Sequence, residues 1–159
     1  MKSIIFMRHS YAEDGFDKAD FDRRLLKKGY EKIDLQVEQF KAQNNSRIDF
    51  VVCSAAVRTS ETCQYFLDKL GVNIPVKYEQ WIYEDYLSAE FIDYVQALDN
   101  QYNSLLFIGH NPNISQIATR MSYNGMFGFK PGGILKLDFN ADAWKLIKTQ
   151  SGNLDYYLA

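Results

Sequence analysis

SIIFMRH, residues 3–9, is an apolar run of strand length that ends in an arginine and in the first of the chain's two histidines. The second histidine, His110, follows another apolar run, LLFIG at residues 105–109. A third run, FVVC at residues 50–53, leads toward Arg58. Because chemistry in an open parallel sheet collects beyond the carboxyl ends of the strands, these three ends should meet. The sequence therefore predicts a site with two imidazoles and two guanidiniums, which suits an anion such as phosphate.

Apolar runs of strand length alternate with amphipathic stretches, a pattern that is typical of an α/β layered fold. Strands are predicted at about 3–8, 50–53, 75–78 and 105–109. Apolar residues at helical spacing predict helices at about 27–42, from Arg58 to a terminating Gly71, and around 91–98. A further helix should follow His110, with Asn111 as its N-cap and Pro112 in its first turn.

The last third of the chain has a hairpin pattern. Gly132 and Gly133 precede the run ILKLDF at 134–139, and residues 140–142 form a predicted turn before a second strand at 144–148. A hairpin at this end makes the sheet mixed rather than purely parallel. The predicted fold is a single three-layer αβα domain over residues 1–159, with a mostly parallel central sheet and a C-terminal antiparallel hairpin.

Composition narrows the expected partners. The net charge of −2 and the pI near 5.7 give no overall basic field, so nucleic acid is not an expected partner and an anionic substrate needs a local cationic cluster. No apolar segment approaches the length of a membrane span, and the first apolar stretch is too short for a signal peptide. The cytosol is the expected location, and the oligomeric state is not predicted.

Each histidine has a plain and a chemical interpretation. Either ring fits an inert, hydrogen-bonded residue at a strand end, but a neutral His9 would be a competent nucleophile toward phosphorus. His110 would then donate a hydrogen bond to the transferring phosphoryl group. Metal binding is not expected, because HxH, HExxH and Cys/His clusters are missing and two arginines would repel a cation. No cofactor is expected either.

The remaining polar candidates each keep two interpretations. Arg58 lies at a strand-to-helix turn, where it would clamp a phosphate or pair with Glu61 at the surface. Ser54 is most simply an N-cap. In the segment WIYEDY, residues 81–86, Glu84 or Asp85 would be a general acid with a pKa raised by burial, or a loop acid that balances the arginines.

Four motifs together resemble those of the histidine phosphatase superfamily, in its small phosphohistidine-phosphatase branch of the SixA type. The resemblance runs from Met7 to about Leu137, and its strongest element is FMRHS at 6–10, similar to the RHG-type signature. SAAVR at 54–58 with the following Glu61-Thr62 resembles SPxxR…T, and IGHNP at 108–112 resembles the GHNP segment. RRLLKKG at 23–29 resembles RPLTxxG, which points to Arg23 rather than Arg24 as the inward arginine.

The resemblance implies a phosphoglycerate mutase-like fold and a metal-free, two-step hydrolysis. His9 would attack phosphorus, Arg8, Arg58 and His110 would stabilise the equatorial oxygens, and water would cleave the phospho-His9 intermediate. The motifs further imply that three residues bind the substrate: Arg23, Ser54 and Asn111. Glu84 would correspond to the general acid of larger relatives. Departures from the motifs are Ser10 for glycine, and Ala55 and Arg24 for prolines.

The leading hypothesis is a phosphatase that acts on phosphohistidine proteins. A short chain leaves little room for an inserted lid, so the site is expected to be wide and open enough for a protein surface. The same residues would also serve a phosphomonoesterase acting on small phosphate esters. Mutase activity is less expected, since a mutase must shield its phosphoenzyme from water. A module that binds phosphate or phosphohistidine without turnover is the alternative outside enzymes, and an intact nucleophile counts against it.

Overall fold

The computed structural model describes residues 1–43 and 47–159 of the chain. Six strands lie in this part: β1 Lys2–Arg8, β2 Phe50–Ser54, β3 Val76–Glu79, β4 Ser104–Gly109, β5 Ile134–Phe139 and β6 Asn153–Leu158. They form one sheet in the order β3-β2-β4-β1-β5-β6. The first four strands pair in parallel, and β5 and β6 are antiparallel to their neighbours. The predicted mostly parallel sheet with an antiparallel end is confirmed.

Five α-helices connect or flank the strands in the described residues: α1 Lys27–Lys41, α2 Val57–Leu70, α3 Gln80–Tyr83, α4 Ser88–Gln96 and α5 Asn113–Met121. Short 3-10 turns lie at Asp20–Asp22 and Trp144–Leu146. The helix α2 ends as predicted at Gly71, which takes the left-handed conformation with φ of 72°. The polar segment between β1 and α1 carries the first 3-10 turn across the edge of the sheet.

The core consists of two apolar layers, one on each face of the sheet. Alternate residues of β1 point to opposite faces, so Ile4 and Phe6 pack with α4 and α5, whereas Ile5 and Met7 pack with α1 and α2. Strands buried on both faces read as continuous apolar runs, which is why the run at residues 3–7 lacks alternation. The three-layer αβα arrangement predicted from the sequence is therefore confirmed.

The strand register places the two histidines beside each other. Strands β1 and β4 pair in parallel with Arg8 opposite Gly109, so His9 and His110 leave the sheet at the same level. Strand β2 pairs with the other side of β4, with Cys53 opposite Ile108. The carboxyl ends of three parallel strands thus lie at one edge, and Ser54 and the start of α2 lie there too.

The second strand of the C-terminal hairpin was predicted in the wrong place. Residues 144–148, expected as this strand, begin with a 3-10 turn, and the strand that pairs with β5 is β6. Trp144 explains the difference, because its ring is fully buried and its indole N–H donates to the carbonyl of Tyr102 at 2.8 Å. The Lys2 ammonium lies 5.3 Å from the ring centroid. Trp144 therefore closes the core instead of continuing the sheet.

Gly29 is expected to tolerate no side chain. A Cβ at this position in the first turn of α1 would collide with the backbone carbonyl of Tyr11. Glycine to alanine inside a helix ordinarily raises stability by up to about 1 kcal/mol. Because of the collision, Gly29→Ala should instead lower the free energy of unfolding by about 1–3 kcal/mol.

Denaturant unfolding monitored by circular dichroism measures this effect. Gly128→Ala is the matched control, since a Cβ there meets no atom within 4 Å. A Gly29→Ala protein as stable as wild type would show that the segment around Tyr11 moves aside without cost.

Candidate active site

His9 is held in one tautomer at the end of β1. The side chain is 8% exposed, and its Nδ1 lies 2.8 Å from the carbonyl oxygen of Ser10. Because a carbonyl only accepts hydrogen bonds, Nδ1 carries the proton and Nε2 keeps its lone pair. This is the tautomer that a nucleophilic imidazole requires.

Ser10, which stands where the RHG-type signature has glycine, is tied into the surrounding backbone. Its amide donates to Thr62 Oγ1 at 3.1 Å, and its hydroxyl donates to the Gly29 carbonyl at 2.8 Å. The Thr62 hydroxyl in turn donates to the Arg58 carbonyl at 2.7 Å. The serine side chain thus has a buried partner, and the segment that carries His9 is fixed to both α1 and α2.

His110 faces His9 across the ends of β1 and β4. The two ring centroids are 5.3 Å apart, with an angle of 54° between the rings. The Nε2 atom of His110 lies 2.7 Å from the hydroxyl oxygen of Ser54, the last residue of β2. Ser54 therefore fixes the second imidazole. It is not the predicted N-cap, because the N-cap position of α2 is Ala56.

Two arginines flank the imidazoles. Arg8 Nη1 donates to the Phe129 carbonyl at 2.9 Å. Arg58, in the first turn of α2 and 6% exposed, donates from Nη1 to the backbone carbonyl of Asp20 at 2.8 Å and from Nη2 to its carboxylate at 3.2 Å. Surface pairing of Arg58 with Glu61 is not observed, and Arg58 instead faces the site.

Unpaired polar atoms concentrate at this place. Among residues 1–43 and 47–159, six buried side-chain nitrogen or oxygen atoms have no hydrogen-bond partner. Three of the six are Arg8 Nε, Arg58 Nε and His110 Nδ1. Buried polar atoms without partners are costly, and a cluster of them is explained when a ligand supplies the partners. The arrangement is suited to bind a multivalent oxyanion.

Burial and positive charge keep both imidazoles neutral. Burial, with the charges of Arg58 and Arg8, lowers the pKa of His9 to about 3. Burial and the neighbouring His9 and Arg58 lower the pKa of His110 to about 3 as well. At neutral pH the site therefore holds two uncharged rings among guanidinium cations. Neither ring adds a positive charge that would repel the arginines.

These shifts predict the pH dependence of folding. Between pH about 6.5 and 3 the unfolded histidines bind protons that the folded ones do not, so stability should fall as the pH is lowered through this range. With only two histidines in the chain, their Hε1 resonances can be followed by NMR and assigned with one substitution. Neither ring should titrate between pH about 8 and 5. A midpoint near 6.5 for either ring would contradict the buried, neutral pair.

The two neighbouring arginines of the RPLTxxG-like segment point in different directions. Arg23 donates from Nη1 to the Asp20 carboxylate at 2.9 Å and from Nε to the Glu13 carbonyl, and its charge contributes to lowering the pKa of His9. The side chain of Arg24 is 65% exposed and pairs with Glu61 at 2.7 Å. Arg23 is thus the arginine on the side of the site.

Asn111 and Glu84 are placed differently from the other candidates. The Asn111 amide donates to the Phe129 carbonyl at 2.9 Å and accepts from Ser115, so it braces the carbonyl that also binds Arg8. It does not cap α5, which begins at Asn113, because its side chain is committed to these two partners. Glu84 is exposed just after α3 and is not brought into contact with the histidines in the described structure.

Two residues of the site were not singled out from the sequence. Asp20 reaches Arg58 and Arg23 from the first 3-10 turn, and the Tyr83 hydroxyl donates to the Asp20 carboxylate at 3.0 Å. The Tyr83 and His110 ring centroids are 5.8 Å apart. The spacing of Asp20, three residues before Arg23, was a signal for that ion pair but not for the contact with Arg58. Tyr83 directly precedes Glu84 in the aromatic segment WIYEDY.

The described part of the chain contains neither a side-chain cluster for a metal ion nor a helix for a membrane span. No three His, Cys, Asp or Glu side chains in residues 1–43 and 47–159 come together in a way that could hold a metal ion. Over the same residues, no helix combines the length and the apolar character that crossing a membrane requires.

The fold is shared with solved structures of SixA phosphohistidine phosphatases and of other phosphatases, and the phosphoglycerate mutase-like fold that the motifs imply is thereby confirmed. Among solved structures, a candidate phosphohistidine phosphatase SixA from Nakamurella multipartitia superposes with a TM-score of 0.83 at 22% identity, over 99% of this chain and 95% of its own. The protein histidine phosphatase SixA in complex with tungstate gives a TM-score of 0.83 at 19% identity, over 99% and 96%. A mycobacterial glucosyl-3-phosphoglycerate phosphatase in complex with VO3 gives 0.71 at 11% identity, over 98% of both chains.

Sequence comparisons add relatives without a described activity. An uncharacterized protein of Mycobacterium leprae is 28% identical over 145 residues, which are 86% of each chain. An uncharacterized protein of Mycobacterium tuberculosis is 29% identical over 112 residues, 70% of this chain and 67% of its own. No protein-family model matches the chain.

Proposed function

We propose that the chain is a metal-independent phosphatase that works through a phospho-His9 intermediate. The observation that carries the proposal is the tautomer of His9, whose Nε2 lone pair is free beside the unpaired Nε–H groups of Arg8 and Arg58 and the unpaired Nδ1 of His110. The SixA neighbour in complex with tungstate and the mycobacterial phosphatase in complex with VO3 bind oxyanions on the same fold. An oxyanion site at this edge of the sheet is consistent with both.

In the first step His9 Nε2 attacks phosphorus, and a new N–P bond forms while the bond from phosphorus to the leaving group breaks. The leaving group takes the electron pair of the broken bond. Negative charge on the three equatorial oxygens is met by the guanidiniums of Arg8 and Arg58 and by His110. The proton on His9 Nδ1 stays on the hydrogen bond to Ser10, so the charge of the phosphorylated ring is stabilised by that carbonyl.

In the second step water attacks the phosphorus of phospho-His9, and the N–P bond breaks. The electron pair returns to Nε2, inorganic phosphate leaves, and the neutral His9 is restored with its proton still on Nδ1. The same donors serve both steps, because each passes through a similarly charged phosphoryl group. No group outside the described side chains is needed to balance either step apart from water and substrate.

Phosphohistidine proteins are the proposed substrates. Asp20 is the carboxyl group in contact with the arginines of the site, and its hydrogen bond from Arg23 is the main cause of a pKa lowered to about 2. It is therefore a poor proton donor at neutral pH. A protonated phosphohistidine ring leaves as neutral imidazole and needs no such donor. Phe16, 94% exposed on the segment that carries Asp20, offers an apolar contact to a protein partner.

A small phosphate ester is the second candidate substrate. The mycobacterial neighbour is a glucosyl-3-phosphoglycerate phosphatase, so this fold also serves small molecules. An ester would leave as an alkoxide and would need a proton donor, for which Glu84 would have to move toward the site from its exposed position.

The test is phosphate release from a phosphohistidine-bearing protein and from a panel of small phosphate esters, with wild type, His9→Ala and the surface variant Arg24→Ala. Release from the protein by wild type and Arg24→Ala, but not by His9→Ala, is the expected result. Release from esters alone would mean that the substrate is a small phosphate ester and that the mechanism is unchanged. Phosphate binding without release would indicate a binding module, and equal release by His9→Ala would reject the nucleophile.

A further inference from the structure

The carboxylate of Asp20 lies between the arginines that the proposed mechanism needs for phosphate. It accepts from Arg23 Nη1 at 2.9 Å, from Arg58 Nη2 at 3.2 Å and from the Tyr83 hydroxyl at 3.0 Å. Two guanidiniums and a hydroxyl are the donors that commonly bind a phosphate oxyanion. An internal carboxylate therefore uses the donors of an anion site.

Geometry links Arg58 to the histidines. Its guanidinium carbon lies 6.0 Å from the Tyr83 ring centroid, and the Tyr83 and His110 ring centroids are 5.8 Å apart. The charges of Arg58 and Arg23 also contribute to lowering the pKa of His9. Asp20 consequently does not form a separate surface ion pair. Its contacts lie within the constellation around His9.

Exposure shows which partner is free to move. The side chain of Arg58 is 7% exposed, and that of Asp20 is 53% exposed. Asp20 lies on a three-residue 3-10 turn within the long segment between β1 and α1. Its carboxylate can turn into solvent, whereas the guanidinium of Arg58 is enclosed by the fold. Because Arg23 holds its pKa near 2, Asp20 is an anion at neutral pH.

We propose that Asp20 is an internal competitor for the phosphoryl site, whose carboxylate occupies Arg58 and Arg23 until a phosphoryl dianion displaces it. The inference rests on the proposed function and assigns a specificity role to a residue outside the four expected catalytic ones. A dianion with three oxygens makes more charge-assisted bonds than a carboxylate, so it wins the exchange. A monoanion such as a substrate carboxylate does not displace Asp20. After the reaction, the return of the Asp20 carboxylate to the arginines helps to expel product phosphate.

The test compares Asp20→Asn with wild type by calorimetric titration with inorganic phosphate, and by phosphate inhibition of turnover. Asparagine keeps the shape but not the charge, so phosphate should bind about 10-fold more tightly or better. Asp22→Asn is the matched control, because it removes the same charge from the same turn at an exposed residue. In the described residues the hydrogen bonds and the ion pair of Arg58 in this turn go to Asp20 and not to Asp22. The phosphate affinity of the Asp22→Asn protein should stay within about 2-fold of wild type.

The direction of the change in phosphate affinity shows whether Asp20 competes with phosphate or only positions Arg58. If Asp20 only positions Arg58, Asp20→Asn will weaken phosphate binding, and this result or an unchanged affinity overturns the proposal. Asp20→Ser provides a second variant, and thermal unfolding confirms that each protein is folded. Failure of the proposed function looks different: phosphate then binds to no variant, or binds equally to Arg8→Ala.

Discussion

Replacing His9 with alanine is expected to lower kcat for phosphate release by at least about 10⁴-fold, since removal of a nucleophile commonly costs more than any single charge-stabilising donor. The substitution removes the Nε2 lone pair and leaves Arg8 and Arg58 in place to bind substrate. Affinity for inorganic phosphate, measured calorimetrically, should therefore change far less than turnover. Steady-state release from a phosphohistidine-bearing protein measures the loss.

His110→Ala is the matched control for this variant. It removes the other imidazole, 5.3 Å away, and with it a hydrogen-bond donor but not the nucleophile. Its kcat should fall by about 10²–10³-fold, and the remaining turnover should still pass through a phosphoenzyme. If the His110 variant loses more activity than the His9 variant, the two roles have been assigned to the wrong rings.

Replacing Arg58 with alanine is expected to lower kcat/KM by about 10²–10³-fold. The guanidinium is nearly buried, donates two hydrogen bonds at once and has an Nε that lacks a partner, so its removal takes several donors from the site together. Arg58→Lys keeps the charge but loses the planar pair of donors, and should recover only part of the rate. Kinetics on wild type and both variants measure the effect.

Arg24, an arginine at the surface, provides a control that separates the effect of the position of Arg58 from the effect of its charge. Arg24→Ala removes one positive charge from a mostly exposed side chain that pairs with Glu61. Its kcat/KM should remain within about 2-fold of wild type, because salt screens the charge of an exposed side chain. Similar losses in Arg24→Ala and Arg58→Ala would mean that the general positive field, rather than a fixed clamp, binds the substrate.

The central part of the fold and the convergence of the histidines could be predicted because strands buried on both faces are written as unbroken apolar runs. In such a sheet the residues after each run must gather at one edge, and Arg8, His9, Arg58 and His110 do so. The pairing of Arg8 with Gly109 then sets the two rings side by side. This much requires only strand order and direction.

Features that depend on particular side-chain contacts were not predictable in the same way. The strand expected at 144–148 follows the predicted turn at 140–142, but the burial of Trp144 beside Lys2 turns this segment away from the sheet. Asn111 has the residue type of an N-cap, yet it binds Phe129 and Ser115. Asp20 lies in a polar loop without periodicity, so nothing in the local pattern showed that it reaches Arg58.

The most direct measurement is to trap the phosphoenzyme and locate the phosphate. Rapid quench of wild type with a ³²P-labelled phosphohistidine protein should give label that is lost in acid and retained in alkali, as expected for a phosphohistidine, and peptide mapping should place it on His9. The His110→Ala protein should carry the same label and the His9→Ala protein none. Label on His110, or full turnover without any labelled enzyme, would contradict the proposed mechanism.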